Sequence, residues 1–337
     1  MPTYSFVIPV CDEEAVLPEL HRRLSSVAGQ LDGECEFVFV DDGSADGSRK
    51  ALLELRAADP RVKLLFLARS FGHQLAISAG LDYASGDAVV IMDADLQDPP
   101  EVAVEMAALW REGYEVVHGV RMQRAGESRL RLWTAHLFYR LLHRISDVDL
   151  PLDAGDFRLA DRRVVDIVRG MREPDRYLRG MFAWVGFRQT GVDYERDPRF
   201  AGRTKNSWSQ MMRFAIDGIL GFSVAPLRII LGLGFVMSCL ALLTGMIAIV
   251  LKLAGALPPV SGWASLVVLV SFLAGVQLIV LGTVGLYVAR AYEQGKHRPL
   301  YLVAETHGLG STLASADYVL GAQRDPAEPA LDPTQQP

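Results

Sequence analysis

The sequence has 337 residues, half of them hydrophobic, and a formal net charge of −6. That length admits two domains, and that charge excludes bulk binding to nucleic acid. The three cysteines, Cys11, Cys35 and Cys239, form no CxxC pair, which excludes a disulfide framework or a cysteine zinc site and fits a reducing compartment. Met1 to Val10 lacks the basic start and small-residue cleavage site of a signal peptide and reads as a strand.

From there to about residue 122, strands and helices alternate. Tyr4 to Val10 is a short apolar run. Glu13 to Gln30 carries Val16, Leu17, Leu20, Leu24 and Val27 at helical spacing. Cys35 to Val40 reads as a second strand ending in Asp41-Asp42-Gly43-Ser44, and Asp46 can cap the helix that follows. Val62 to Leu67, a helix from about Gly72 to Tyr83, and Ala88 to Met92 repeat the pattern. Pro100 opens another helix with Glu101 beside it. Near-continuous apolar strands in repeated βα units predict an α/β domain with a parallel sheet covered on both faces.

The pattern then changes. Between about 129 and 145, Leu130, Trp133, Leu137, Phe138, Leu141 and Ile145 line one helical face, with Arg129, Arg131, Arg140, His143 and Arg144 largely off it. Such a helix lies on an anionic membrane surface, or packs on the sheet with a solvated basic face. A second amphipathic stretch, from Trp208 to Leu220, directly precedes two uncharged apolar runs and is expected at the membrane interface. Those runs, about 229–251 and 264–289, are each long enough to cross ~30 Å of hydrocarbon. Arg228 precedes the pair, Arg290, Lys296, His297 and Arg298 follow it, and the intervening loop offers Lys252 alone. The positive-inside rule puts the N-terminal domain and the C-terminus in the cytoplasm. The tail after about Gly308 is expected to be disordered.

The sharpest chemical signal is Asp93-Ala94-Asp95-Leu96-Gln97-Asp98, at the carboxyl end of a strand, where open α/β sheets bind ligands. Two carboxylates and a side-chain amide suit a hard divalent cation, Mg²⁺ or Mn²⁺, that neutralises a diphosphate; a solvated acidic turn has the same composition. Asp41-Asp42 ends a strand in the same way and can bind a ribose or base, or simply form an Asx turn. Neither a Gly-x-Gly-x-x-Gly fingerprint nor a P-loop occurs. Arg121, Arg124, Arg131, Arg199 and the run Gly202-Arg203-Thr204-Lys205 can bind a phosphate, or form a polybasic strip that holds the domain on anionic lipid. Asp156 alone reads as an ordinary turn residue.

Together these strings resemble the family 2 glycosyltransferases of GT-A fold, and in particular the polyprenyl-phosphate glycosyltransferases: dolichol-phosphate mannose synthases and bacterial bactoprenol glucosyltransferases. The strings are Val7 to Glu14, Val40 to Asp46, Arg69 to Gln74, Met92 to Glu101, Gly155 to Leu159, Arg176 to Gly180 and Gly202 to Lys205, in order over about the first 225 residues. The resemblance implies a GT-A Rossmann-like catalytic domain over 1–205, an interfacial helix over 206–227, a two-helix transmembrane hairpin over 228–291 and a cytoplasmic tail over 292–337. It implies inverting transfer of a hexose from a nucleotide-sugar, UDP-glucose or alternatively GDP-mannose, to undecaprenyl or another polyprenyl phosphate.

The roles it implies are specific. Pro9, Glu13, Asp41, Asp42 and Asp93 hold the nucleotide. Asp93, Asp95 and Gln97 hold Mg²⁺ or Mn²⁺. Arg121, Arg131, Arg199 and Lys205 hold the acceptor phosphate, and Asp156 stands at the position of the catalytic base. One departure concerns base stacking: the aromatic and asparagine common before the two glutamates are Cys11 and Asp12 here. The resemblance further implies an integral protein of the bacterial inner membrane, a homo-oligomer, and a separate flippase for the product. A processive polysaccharide synthase is a poorer match, because its Gln-x-x-Arg-Trp motif and its many spans are missing. A catalytically silent membrane adaptor is the other alternative, against which the acidic residues stand.

Overall fold

A computed structural model describes residues 1–122, 154–174, 176–195, 225–254 and 263–309. Among these, the residues up to 195 and those from 298 onward make one compact unit, and 225–254 with 263–297 make another. Both amphipathic stretches predicted above, 129–145 and 208–220, lie outside the described residues.

The first unit is built on an eight-stranded sheet of order β7-β5-β6-β4-β1-β2-β3-β8. Its strands are β1 Thr3–Val10, β2 Glu34–Asp41, β3 Val62–Leu67, β4 Ala88–Ile91, β5 Val116–Arg121, β6 Ala154–Asp161, β7 Gln189–Tyr194 and β8 Val303–His307. Helices α1 Leu17–Ala28, α2 Ser48–Ala58, α3 His73–Tyr83, α4 Val102–Arg111, α5 Arg162–Gly170 and α6 Leu178–Trp184 accompany them. The first four βα repeats thus follow the predicted pattern closely. Seven of the eight residues of β1 are buried, as a strand covered on both faces requires. Helix α1 turns Leu17, Leu20, Leu24 and Val27 inward, one stripe at i, i+3, i+4 and i+3 spacing.

The sheet is mixed, although the strands up to residue 122 run parallel as expected. β4, β1, β2 and β3 run parallel, but β6 is antiparallel to both β4 and β5, and β8 is antiparallel to β3. Hydrophobic period gives strand existence and not direction. Within the segment after 292, expected to be a tail, residues 303–307 form an edge strand of the sheet.

Close approaches fix the sheet's carboxyl end. Gly43 has φ +70°, and a Cβ there would lie 2.7 Å from Ser70 N and 2.8 Å from the Arg69 carbonyl carbon. Both neighbours are backbone and cannot swing aside. Gly43→Ala is therefore expected to lower stability by about 1–3 kcal/mol, read as a lower midpoint in denaturant unfolding.

The second unit holds α7 Ala225–Leu253 and α8 Trp263–Gly295. Its described apolar side chains are widely exposed, among them Leu231, Phe235, Met246, Leu278 and Ile279. Within α8, Phe272–Gly295 is long and apolar enough to cross a membrane by length and composition. In α7 the corresponding apolar stretch is the shorter Ile230–Ala241.

Candidate active site

The loops at the carboxyl ends of β1, β2 and β3 meet in a web of hydrogen bonds. Pro9 is buried in β1, a strand interior that normally rejects proline for lack of an N–H donor. It is tolerated because β4 pairs with β1 only as far as Val7. Beyond it, Asp12 adopts φ +56°, a left-handed conformation that Asp and Asn accept more readily than most residues. Asp12 N donates to Ser44 Oγ (3.0 Å), and Asp12 Oδ1 accepts from Ala45 N (2.8 Å). Glu13 N donates to Ser48 Oγ (2.9 Å), and Glu14 Oε2 accepts from Gly47 N (3.0 Å). The β1 and β2 loops are thereby laced into one surface. Cys11 is exposed upon it.

The two aspartates that end β2 are both buried. Asp41 Oδ1 accepts from Ser44 N at 3.3 Å, and burial raises its carboxyl pKa. Asp42 is committed to the loop after β3: Oδ1 accepts from Phe71 N (2.6 Å), and Oδ2 from Gly72 N and Ser70 Oγ (both 2.9 Å). Three donors on one carboxylate tie that loop to the end of β2. The direct effect is to shape the loop that delivers His73 and Gln74.

Those two residues open α3 and reach Asp156, near the start of β6. Asp156 is 8% exposed. Arg179 grips it through Nε to Oδ1 (2.9 Å) and Nη2 to Oδ2 (3.3 Å). Gln74 Nε2 donates to Oδ2 (3.3 Å), while Gln74 Oε1 accepts from Leu178 N (3.0 Å). His73 Nε2 lies 3.3 Å from Asp156 Oδ2 and 3.4 Å from Asp93 Oδ1. Burial alone would raise the Asp156 pKa, but His73 and Arg179 outweigh it and hold the carboxyl far below its usual range. For His73 the balance is the reverse: burial works against its charge, and the Asp156 and Asp93 carboxylates raise its pKa to about 9. Beneath, Arg158 is buried with its guanidinium over the Phe182 ring, 4.8 Å from the centroid, and donates through Nη2 to Gly155 O (2.8 Å).

At the end of β4, Asp93 is half-buried and Asp95 is buried. Burial, with Asp156, Asp98 and Asp95 nearby, pushes the Asp93 pKa up to about 6 even against the His73 charge. Its Oδ1 is buried and accepts no hydrogen bond among the described residues. Asp95 Oδ1 accepts from Gln97 N at 3.1 Å, and Leu96 between them has φ +58°. Crowded carboxylates, with a buried oxygen that accepts no hydrogen bond and meets the His73 ring at 3.4 Å, fit a hard cation. Among the described residues, no three His, Cys, Asp or Glu side chains already converge into a cage.

Arg121 closes β5 on the other side. Its Nε donates to Tyr194 Oη (3.2 Å), and Tyr194 Oη donates to Asp98 Oδ1 (2.5 Å). Gly155 leaves room for it: a Cβ there would lie 2.6 Å from Arg121 Nη2. Arg121, Asp98, Gly155 and Asp156 thus share one end of the sheet. The other three predicted acceptor residues, Arg131, Arg199 and Lys205, lie outside the described residues.

With this geometry in view, the comparisons with known proteins are direct. The model of the family described as Glycosyl transferase family 2 matches residues 5–168. A Bacillus subtilis (strain 168) protein named as an uncharacterized glycosyltransferase is 46% identical over 91% of this chain and 94% of its own. The bactoprenol glucosyl transferase of Shigella phage SfV is 38% identical over 89% of this chain and 97% of its own.

This chain belongs to glycosyltransferase family 2. Its fold is the Rossmann-like α/β fold of GT-A glycosyltransferases, and the similarity to the phage enzyme extends through α7 and α8.

Sequence reasoning named Asp156, Asp93, Asp95 and Arg121, and the fold brings them to one end of the sheet. It assigned nothing to His73, Gln74, Arg179, Asp98 or Tyr194. All but Tyr194 lie within strings already singled out, but the convergence of His73, Gln74 and Arg179 on Asp156 is purely tertiary.

Proposed function

We propose that this glycosyltransferase moves a hexose, with UDP-glucose as donor, onto a polyprenyl phosphate at the cytoplasmic face of a bacterial inner membrane. The observation that carries the reading is the caged, ionised Asp156 beside the acidic β4 end. The similarity to a bactoprenol glucosyl transferase over nearly the whole chain supports the acceptor class.

In this reading, Pro9, Glu13 and Asp41 line the nucleoside pocket, and Asp42 contributes through the loop that it holds. Asp93, Asp95 and Gln97 hold a divalent cation, Mg²⁺ or Mn²⁺, which neutralises the diphosphate leaving group. Arg121, with Arg131, Arg199 and Lys205, holds the acceptor phosphate. That phosphate has its second pKa near ~6 and is mostly dianionic at neutral pH, so it attacks the anomeric carbon without needing a base. The bond from that carbon to the diphosphate oxygen breaks, the nucleoside diphosphate leaves, and configuration inverts. Asp156, ion-paired on both oxygens, orients Arg179 and His73 around the reacting groups. Catalysis is positioning and charge neutralisation. Helices α7 and α8 form a membrane hairpin that keeps the domain beside its lipid. A homo-oligomer and a separate flippase complete the arrangement.

The test is transfer of labelled sugar by the purified full chain to undecaprenyl phosphate in detergent, with Mn²⁺, Mg²⁺ or EDTA. The donors are UDP-glucose, UDP-galactose, UDP-N-acetylhexosamine and GDP-mannose. Metal-dependent lipid-linked product from UDP-glucose is expected. Product from GDP-mannose alone replaces the donor, and no product from any donor overturns the reading.

A further inference from the structure

The chain leaves α8 at Gly295 and enters β8 at Val303. The residues from 301 to 307 grip the β3–loop–α3 unit at two separate points. On the strand side, β8 pairs antiparallel with β3, and Leu302 O accepts from Ala68 N (2.9 Å), the first residue beyond β3. Val303 is 2% exposed, and Glu305 is ion-paired with Arg49 of α2. On the helix side, Tyr301 is buried and donates its hydroxyl to Asp82 Oδ2 at 2.6 Å, in the last turn of α3. Arg172 Nη1 donates to the same oxygen at 2.6 Å.

What lies between the two grips is the part of the site that the sequence left without a role. The 70–72 loop is bound by Asp42, and α3 begins with His73 and Gln74 against Asp156. α3 has no slack on its other face: a Cβ on Gly80 would lie 2.3 Å from Val7 Cγ1, so the helix rests directly on β1. A rod held this tightly transmits a displacement at Asp82 to its His73 end.

We propose that the segment 301–307 is a strap that positions α3, and through it His73 and Gln74, for transfer. The strap is the first structure after the apolar helix α8, so anchorage and site geometry are covalently continuous. Covering the edge of β3 would protect against aggregation by itself. The buried Tyr301–Asp82 bond does nothing for the edge and acts on α3. This inference rests on the transferase reading for its rate readout, and its exchange readout is independent of that reading.

The test uses the full chain in detergent, comparing wild type, Tyr301→Phe and Val303→Asp by amide hydrogen exchange and by initial transfer rates. Val303→Asp forces a carboxylate into a buried strand position and unseats the strap; Tyr301→Phe keeps the ring and removes one bond. In both, amides 70–79 are expected to exchange faster, by about tenfold or more in Val303→Asp, while β1 and β4 keep their protection. The kcat is expected to fall by about tenfold to a hundredfold in Val303→Asp, as a misplacement of ~1 Å would cause, with the donor KM little changed. Faster exchange confined to 301–309, with wild-type protection at 70–79 and wild-type kcat, overturns the proposal. If Val303→Asp also loses protection in β1, Tyr301→Phe decides by the same two readouts. A wild-type chain that transfers no sugar, but whose variants show faster exchange at 70–79, keeps the strap and removes the transferase reading.

Discussion

Asp156→Asn is expected to lower the transfer rate by about a hundredfold to a thousandfold while leaving the shape of the pH–rate profile unchanged. The carboxylate meets Arg179 on both oxygens and lies 3.3 Å from His73 Nε2. These partners hold its pKa far below the ordinary carboxylate range despite burial. With a depressed folded pKa, the stabilisation is present above the unfolded value of about 3.9 and is lost as pH falls through the folded value. Across neutral pH the group is therefore a fixed anion and a poor proton acceptor. Asparagine keeps the shape but leaves the Arg179 and His73 charges without their counter-charge, so the loss comes from disorganised cations. A variant whose rate recovers at high pH, or whose loss is confined to low pH, would identify Asp156 as a general base instead.

The second large effect is expected from Asp93→Asn. Its Oδ1 is a buried acceptor without a hydrogen bond, and neighbouring carboxylates and burial push its pKa up to about 6. A divalent cation relieves that crowding, and asparagine removes the charge that would attract it. Transfer should fall by about a thousandfold or more. Binding of the nucleoside diphosphate, followed by calorimetry, should lose its dependence on Mn²⁺ while metal-free binding stays as in wild type. Because the substitution also removes like-charge repulsion, the variant should unfold at an equal or higher temperature. An active Asp93→Asn that still responds to EDTA as wild type does would place the cation elsewhere.

The parts of this account that were legible in the sequence are those governed by local pattern. The apolar runs of β1 to β4 and the 3.6-residue stripe of α1 are short-range signals, and their elements form nearly where the periodicity puts them. β6 was hidden because its eight residues, Ala154–Asp161, interleave Asp156, Arg158 and Asp161 with apolar residues, and the first of these looks like a turn acid. β8 is a five-residue strand in a segment dominated by polar tail composition, and it forms only because β3 offers an edge.

The site divides in the same way. Asp93 and Asp95 are readable from their position at a strand end. The roles of His73, Gln74 and Arg179 depend on residues that are distant in sequence meeting at Asp156, for which no local period exists. Asp42 illustrates the converse. Its place at a strand end suggested direct ligand binding, and the fold gives its carboxylate three donors of the neighbouring loop.

The most direct test of the central claim, a one-step transfer in which Asp156 is not a nucleophile, is the anomeric configuration of the lipid-linked product. The full chain is incubated with UDP-glucose and polyprenyl phosphate, and the coupling constant of the anomeric proton is read by NMR. The account predicts a single product of inverted, β configuration. A retained, α product would exclude a single back-side displacement and would contradict it.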